Sequence, residues 1–323
     1  MSDENTTNPD QRPRSEELAY DLGKVLTAIV SIRCEVSENA FTATSLGTER
    51  SGHGVLIRQS GLVLTIGYLT IEAHKLWLID SVGQAVPGHV LAYDQETGFG
   101  LIQALGKLNA TAIPIGRSSG LEIGDDVVMA GYGGIKNAIS ARVAAKQEFA
   151  GYWEYLLNEA IFITPPHPTW GGAALISGQG ELVGIGSLLI QHTAGEQMPF
   201  DGNMIVPIDL LEPILDDLLS YGRVNKPARP WIGTMMAESS DRLFVAGVIP
   251  DGPGAMSGLE SGDVLTALNG HPTEDLPSFF RQLWGLGDAG IVVTLSITRG
   301  QQVFDVQIKT ADRNDFLLQP DLH

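Results

Sequence analysis

The sequence lacks the residues that would build a disulfide framework or a cysteine-bound metal site. Cys34 is the only cysteine among 323 residues, so no internal disulfide can form and no cysteine cluster can bind zinc. The seven histidines are scattered, and none forms a pair at metal-ligand spacing. A metal site assembled in three dimensions from His53, His74 or His167 stays open as an alternative. We nevertheless expect neither a metal nor a cofactor.

Long apolar runs are also absent. The apolar stretch 26–32 is far too short to cross a bilayer. The first ten residues are acidic and polar, which is the reverse of a signal peptide with its basic start and apolar core. The sequence as written therefore predicts a cytoplasmic protein with no membrane partner, although a leader removed from it would give a different address.

Basic residues are scarce relative to acidic ones. The chain has 20 Lys and Arg against 38 Asp and Glu, a formal net charge of −18. Such a balance argues against sequence-independent binding to nucleic acid, which needs basic surface to neutralise phosphates. It argues equally against docking on anionic membranes. A simpler role for the acidity is solubility.

Short apolar runs separated by glycine-bearing turns dominate the chain up to about residue 205. Examples are Gly54-Val55-Leu56-Ile57 and Leu182-Val183-Gly184-Ile185. Many short strands at regular spacing are typical of an all-β barrel or sandwich. Apolar residues at helical spacing over 209–220, with Asp209 as an N-cap, then predict an amphipathic helix.

A second unit follows a basic, proline-bearing stretch that we interpret as a linker. In this unit we predict strands and one helix; the strands lie around 244–249, 264–268, 292–298 and 303–308, and the helix runs over 276–284. The predicted division of the chain is a disordered tail over 1–16, a barrel domain over 17–222, a linker over 223–228, a second domain over 229–312 and a C-terminal tail over 313–323.

Three segments of the first unit resemble the frames around the catalytic triad of trypsin-like proteases. Leu64-Thr65-Ile66-Gly67-Tyr68-Leu69 stands where such proteases have Leu-Thr-x-x-His-Val. Segment 94–101 stands where they have Asp-x-x-Thr-Asp-Leu-Ala-Leu, and segment 168–175 where they have Pro-Gly-Asn-Ser-Gly-Gly-Pro-Leu. With further pieces in the same order, residues 20–312 resemble the HtrA (DegP-like) serine proteases. The resemblance implies a mainly β chain, with a trypsin-like double β-barrel followed by a PDZ-like α+β domain.

The resemblance places Tyr68, Gly98 and Gly171 at the positions of histidine, aspartate and serine. Glycine cannot form an acyl-enzyme, and a phenol that titrates near ~10 is a poor base at neutral pH. Because triad hydrolysis needs nucleophile, base and orienting carboxylate together, we predict that the chain has no catalytic residue and is not an enzyme. A dyad of His167 and Thr169 is an alternative, but ordinary loop residues are the favoured interpretation.

The second unit resembles a PDZ domain. Arg229-Pro230-Trp231-Ile232-Gly233 is similar to the carboxylate-binding loop, and the strings over 249–255 and 258–265 match the family. The resemblance implies that backbone N–H groups near Ile232 and Gly233 bind a peptide carboxylate while the edge strand 234–237 pairs with the peptide. The predicted peptide-binding residues are Trp231, Ile232, Gly233, Thr234, Met235, Phe279, Phe280 and Leu283. A core role for the two phenylalanines is equally consistent with the pattern.

Taken together, these features predict a catalytically inactive pseudoprotease that acts as a scaffold or adaptor through its PDZ domain and barrel surface. Its expected partners are protein or peptide C-termini, in a larger complex or a homo-oligomer. One alternative is a non-catalytic structural subunit of a larger enzyme complex, which would co-purify with a partner at fixed stoichiometry. Another is a hydrolase with a rearranged active site.

Overall fold

Two compact units make up the chain in the computed structural model, which describes residues 7–191, 200–239 and 242–318. Unit 1 comprises Met1–Gln147, Glu159–Val224 and Leu318–His323, and unit 2 comprises Glu148–Asn158 and Asn225–Leu317. Segment 148–158, which the sequence had assigned to the barrel domain, therefore belongs by its contacts to unit 2. The other predicted domain boundaries stay predictions.

The first half of unit 1 is a closed antiparallel barrel of six strands in the order β1-β2-β3-β6-β5-β4. Its strands form because apolar residues recur over short runs, and β3 is buried at all five positions. The elements are α1 Leu22–Leu26, β1 Ile29–Val36, α2 Ala43–Leu46, β2 Glu49–Arg58, β3 Leu62–Ile66, β4 Ala73–Ile79, β5 Ala85–Tyr93 and β6 Phe99–Ala104.

A second closed barrel follows, in the order β10-β11-β12-β9-β8-β7. The elements are β7 Asp126–Ala130, β8 Ala138–Gly151, β9 Tyr155–Thr164, β10 Ala174–Ile176, β11 Leu182–Ile190 and β12 Gly202–Pro207. Alternate residues of these strands, such as Val127, Ile139, Ile161 and Leu175, fill the barrel interior. At 14 residues, β8 is the longest strand among the described residues, and it extends with the start of β9 into segment 148–158.

The amphipathic helix predicted over 209–220 is shorter in the structure. Residues Ile208–Leu210 form a 3₁₀ turn, and helix α3 spans only Leu215–Tyr221. Pro213 has no N–H and disfavours helical geometry in the residue before it, which delays the helix by one turn. Asp209 does not cap the helix, because its carboxylate accepts hydrogen bonds from the backbone N–H groups of Ser118 and Ser119 at 2.8 and 2.9 Å.

Unit 2 contains a six-stranded sheet in the order β13-β14-β15-β17-β18, with β16 paired to β15. Its elements are β13 Thr234–Ser239, β14 Arg242–Val248, α4 Pro253–Met256, β15 Val264–Leu268, β16 His271–Pro272, α5 Leu276–Gly285, β17 Val292–Arg299 and β18 Gln302–Lys309. The predicted strands and helix of this unit are confirmed. Asp275 caps α5 through the Ser278 N–H at 2.7 Å, and Ser278 caps it in return.

The predicted fold class is confirmed as mainly β, with two barrels followed by an α+β domain. The predicted disordered tail, 1–16, lies partly outside the described residues. Within it, Thr7 is buried, and its hydroxyl lies 3.0 Å from the carbonyl oxygens of both Lys136 and Ala138. This hydrogen bonding ties residue 7 to the start of the second barrel.

Candidate functional sites

The three positions that the sequence aligned with a catalytic triad come together in unit 1. Gly67, beside Tyr68, donates its N–H to the carbonyl oxygen of Gly98 at 2.7 Å. A Cβ atom built on Gly171 would lie 2.9 Å from the hydroxyl oxygen of Tyr68. The fold therefore preserves the proximity of the three positions although none of them carries a triad side chain.

The frame around Gly98 is held by its own turn. The Asp94 carboxylate accepts from the Thr97 N–H at 2.8 Å and from the Thr97 hydroxyl at 2.7 Å. Gly98 follows with φ +80°, a left-handed conformation that glycine adopts without a Cβ penalty. The local pattern of Asp94 and Thr97 thus sets the turn independently of the side chain at position 98.

Tyr68 uses its hydroxyl structurally. The phenol donates to the backbone carbonyl of Ser187 at 2.9 Å. Burial raises the pKa of Tyr68, and a hydrogen bond involving Trp170 opposes that rise only in part. The phenol stays protonated and donates a hydrogen bond to the Ser187 carbonyl. This bond holds the hydroxyl in the space that a serine side chain at position 171 would need.

An open cleft of ≈ 880 Å³ lies beside these positions in unit 1. Its lining mixes groups of both charges from β1, β2 and the stretch 132–137, and Thr169 reaches it from the loop before β10. The lining residues include His53, Asn137 and Thr169. The cleft is large enough for a peptide side chain or a small ligand.

His167 is fully buried at this site, and both of its ring nitrogens are engaged. Nε2 lies 3.0 Å from the carbonyl oxygen of Asn137, so this nitrogen carries the proton. Nδ1 therefore has the free lone pair, which accepts the Thr169 N–H at 3.1 Å and lies 3.4 Å from Thr169 Oγ1. Burial lowers the pKa of His167, which keeps the ring neutral and able to accept a proton.

His53 is also buried and, unlike His167, lines the cleft. Its Nδ1 accepts the N–H of Tyr132 at 3.1 Å, which leaves Nε2 as the protonated nitrogen. Burial lowers the pKa of His53 to about 4, and the nearby His167 adds to that effect. Both histidines are thus neutral near pH 7, and no His, Cys, Asp and Glu cluster suited to a metal ion occurs in the part of the chain that the structure describes.

In unit 2, the predicted carboxylate-binding loop has a fixed backbone. Trp231 exchanges two backbone hydrogen bonds with Ala311, at 3.1 and 3.0 Å. The carbonyl of Ile232 accepts from Gly254 at 2.7 Å, and that of Gly233 accepts from Ile249 at 2.9 Å. With its carbonyls anchored and Gly233 at φ +73°, the loop directs three consecutive N–H groups to one point.

That point is occupied by the carboxylate of Glu154. Its Oε1 accepts from Gly233 N at 2.8 Å and Thr234 N at 3.1 Å, and its Oε2 accepts from Ile232 N at 3.2 Å. The side chain is buried, and burial raises the pKa of Glu154 to about 7 against the opposing effect of the three N–H donors and Arg313. The loop therefore binds a carboxylate of this chain.

The rest of segment 148–158 follows the edge of the sheet. Two residues before Glu154, the carbonyl of Tyr152 accepts from the N–H of Met236 in β13 at 2.8 Å. Ala150 and Leu156 pack against the hydrophobic core of unit 2. At the base of the segment, Glu148 forms an ion pair with Arg281 of α5. The segment thus lies along β13 and beside α5.

The residues predicted to bind a peptide differ in their surroundings. Ile232, Gly233 and Thr234 bind Glu154 as described, and Met235 lies in β13 opposite Gly247. Trp231 is buried with its ring 4.9 Å from that of Phe316. Phe279, Phe280 and Leu283 are fully buried in the core of unit 2, together with Leu276 of the same helix. Their assignment to a peptide groove stays a prediction.

Sequence reasoning missed Glu154 as a functional residue. The available signal was an unusual turn, in which one carboxylate stands among four aromatic residues within seven positions, Phe149, Tyr152, Trp153 and Tyr155. The structure stacks the rings of Trp153 and Tyr155 at 5.4 Å between centroids. Such a turn is too apolar for a solvated loop, which indicates that it packs against something.

Comparison with known proteins supports both units. Residues 52–185 match the model of the trypsin-like peptidase domain, and residues 230–310 match that of the PDZ domain. A probable periplasmic serine endoprotease DegP-like of Pseudomonas putida is 28% identical over 82% of this chain and 57% of its own length. The periplasmic serine endoprotease DegP of Escherichia coli is 24% identical over 81% and 58%. The chain thus spans somewhat over half the length of these relatives.

Solved structures show the same fold. An HtrA-type protease AlgW with tripeptide superposes with a TM-score of 0.52 at 19% identity, over 93% of this chain and 97% of that one. A serine endoprotease from Yersinia pestis superposes with a TM-score of 0.51 at 21% identity, over 91% and 99%.

Two predictions are wrong on these comparisons. The relatives are named serine endoproteases, which points to a protease and contradicts the prediction that the chain is not an enzyme. Its physical weakness is that Tyr68, Gly98 and Gly171 exclude one arrangement of catalytic groups, not hydrolysis by other side chains. The relatives are also named periplasmic, which contradicts the predicted cytoplasmic location. Among the described residues, no helix has the length and apolarity to span a membrane.

Proposed function

We propose that this chain, as a member of the HtrA family of trypsin-like peptidases with a PDZ domain, binds the C-terminal segments of proteins or peptides through unit 2 and acts as a scaffold or adaptor. The binding site is the loop 231–234 together with strand β13. The partner is a chain end with a free carboxylate and an apolar last side chain.

The observation that carries this proposal is the convergence of three backbone N–H groups on one carboxylate. Such groups bind anions in a fixed geometry without a counter-charge. Ile232, Gly233 and Thr234 already bind the Glu154 carboxylate at 2.8 to 3.2 Å. A terminal carboxylate has the same two acceptor oxygens, so the loop suits it as well.

The edge strand supports the proposal independently. β13 pairs with β14 on one side only, and its Met236 N–H bonds to a backbone carbonyl of segment 148–158. Addition of an extended peptide to such an edge is a common mode of recognition, in which backbone hydrogen bonds supply affinity and side-chain pockets supply specificity. The groove thus offers both a strand partner and a carboxylate site.

A titration with two matched peptides tests the proposal. The probe is a fluorescent decapeptide that copies residues 145–153 and ends in leucine, prepared once as the free acid and once as the C-terminal amide. We expect the full chain to bind the free acid and to bind the amide far more weakly, since the amide lacks the charge that the loop recognises. Equal affinities for the acid and the amide would show that the groove does not recognise a carboxylate.

Peptide hydrolysis in the barrel is a second candidate function, favoured by the names of the relatives and by the contact between Thr169 and His167. In that reaction Thr169 Oγ1 would attack the peptide carbonyl carbon, and its proton would pass to His167 Nδ1 and then to the leaving amine. The Asn137 carbonyl orients the ring for this transfer by accepting from Nε2. The separation of 3.4 Å must shorten for the transfer to occur.

Substitution of the hydroxyl tests the second candidate. Casein hydrolysis by the purified chain should be lost in Thr169→Val, which keeps the shape of the side chain, and retained in Thr169→Ser. Hydrolysis that persists in Thr169→Val would exclude this residue as the nucleophile.

A further inference from the structure

We infer that segment 148–158 is an internal ligand of the peptide groove: the Glu154 side chain occupies the place of a peptide's terminal carboxylate, and an incoming C-terminus must displace it. The inference rests on the proposed function, and it adds a regulatory state to the same site.

The register of the segment is that of a bound peptide. Glu154 meets the loop at Ile232, Gly233 and Thr234, and Tyr152 meets β13 at Met236. Moving two residues back along the segment thus moves two residues forward along β13, which is the spacing of an antiparallel pair. The segment and an added peptide strand would use the same backbone donors, so they cannot bind together.

The segment differs from a peptide in how its carboxylate is presented. Glu154 lies at the turn between β8 and β9 with φ +59°, a left-handed conformation that is unfavourable for a residue with a side chain. It is one of only a few such non-glycine residues in the described part of the chain. The turn holds this conformation while the γ-carboxylate satisfies all three N–H groups.

Two features favour release of the Glu154 side chain from the loop. The Glu154 carboxyl is removed from water and is faced by Arg313 as its one charged contributor outside the loop. A buried carboxylate forfeits hydration that it regains on release. A peptide's terminal carboxylate forfeits the same hydration, but no further chain follows it, so it reaches the loop without the strained turn that holds Glu154.

Removal of the internal carboxylate tests the inference. The full chain and its Glu154→Ala, Glu154→Gln and Glu159→Gln variants are titrated with the fluorescent free-acid decapeptide and with its amide. Glu159 lies in β9, the strand that follows Glu154, and its exposed carboxylate forms an ion pair with Lys146, so Glu159→Gln controls for loss of a carboxylate elsewhere.

We expect the dissociation constant for the free acid to fall about tenfold or more in Glu154→Ala, to fall less in Glu154→Gln, and to stay unchanged in Glu159→Gln. Equal affinity in all four proteins would overturn the internal ligand while leaving the proposed peptide binding intact. No binding of the free acid to any variant, Glu154→Ala included, would overturn the proposed function itself. The two failures are therefore distinguishable in one data set.

Discussion

The loop of unit 2 and the cleft region of unit 1 differ in what their hydrogen-bond donors bind. In the loop, three backbone N–H groups converge on one side-chain carboxylate. Beside the cleft, the Tyr68 hydroxyl and the Nε2 atom of the buried His167 each donate a hydrogen bond to a backbone carbonyl. The backbone donors of the loop thus bind an acceptor that a ligand can replace. The side-chain donors beside the cleft instead stabilise the local backbone.

This difference shows that a binding site built from backbone groups can be inferred from the fold more directly than one built from side chains. A backbone site depends on φ and ψ angles, so it survives any change of side chain that leaves the loop conformation intact. A side-chain site depends on residue identity at a few positions, so the same frame can be preserved while its chemistry changes. The frames around Tyr68, Gly98 and Gly171 are an example of the second case.

Substitution at Gly233 should break the unit 2 side of the comparison with the largest effect. Gly233→Pro removes one N–H donor and fixes φ near −65°, whereas the loop requires φ +73°. On the Glu154→Ala background, where the groove is open, we expect free-acid affinity to fall by about a hundredfold or more, since a donor to a charged group is lost together with the loop geometry. Fluorescence anisotropy measures the loss.

Gly233→Ala is the matched control, because it retains the N–H while its Cβ meets Pro253 and Trp231 at 3.2 Å. Its affinity should lie between those of the parent and of Gly233→Pro. A Gly233→Pro protein that binds as tightly as its parent would exclude the loop as the carboxylate site.

Introducing serine at position 171 should show whether Tyr68 fills the space beside this position. The new Cβ in Gly171→Ser would lie 2.9 Å from the Tyr68 hydroxyl, so we expect a loss of about 1–3 kcal/mol in the free energy of unfolding. Tyr68→Phe deletes the contacting oxygen, and the serine should cost less in that background. Urea unfolding of the four proteins of this cycle measures the coupling.

Gly178→Ser provides the control for that cycle, since a Cβ there meets nothing within 4 Å. Equal costs at positions 171 and 178 would show that Tyr68 does not fill the space of the missing side chain.

A smaller effect concerns pH. Burial raises the pKa of Glu154 to about 7 in the bound segment, whereas a released glutamate titrates near ~4.3. The contact of the segment with the loop is therefore fully favoured below the lower value, and it weakens as pH rises through about 7. The carboxylate of the free peptide titrates near ~3.5 and is ionised over this range, so affinity for the free acid should rise about tenfold between pH 5.5 and 8.

The Glu154→Gln protein has no titrating group at this position, and its affinity should be flat over the same range. An identical pH profile in both proteins would show that Glu154 does not carry the pH dependence.

The sequence was sufficient to predict most strands and helices but not the contacts that Tyr68 and Glu154 make. Regular apolar spacing predicted β14, β15, β17, β18 and α5, because period and burial agree there. The helix after Asp209 was overestimated, since Pro213 outweighed the apolar spacing. The Tyr68 hydroxyl bond to Ser187 and the Glu154 contact with Gly233 join residues far apart in the chain, so no local pattern reports them.

Hydrogen exchange at the amides of Ile232, Gly233 and Thr234 tests the central claim most directly. In the unmodified chain without peptide, these amides should exchange slowly because Glu154 accepts from all three. In Glu154→Ala they should exchange rapidly and become protected again when the free-acid decapeptide is added, while the Gly254 amide, which bonds to the Ile232 carbonyl at 2.7 Å, stays protected in both proteins. Equal protection of the three amides with and without the Glu154 side chain would contradict the account.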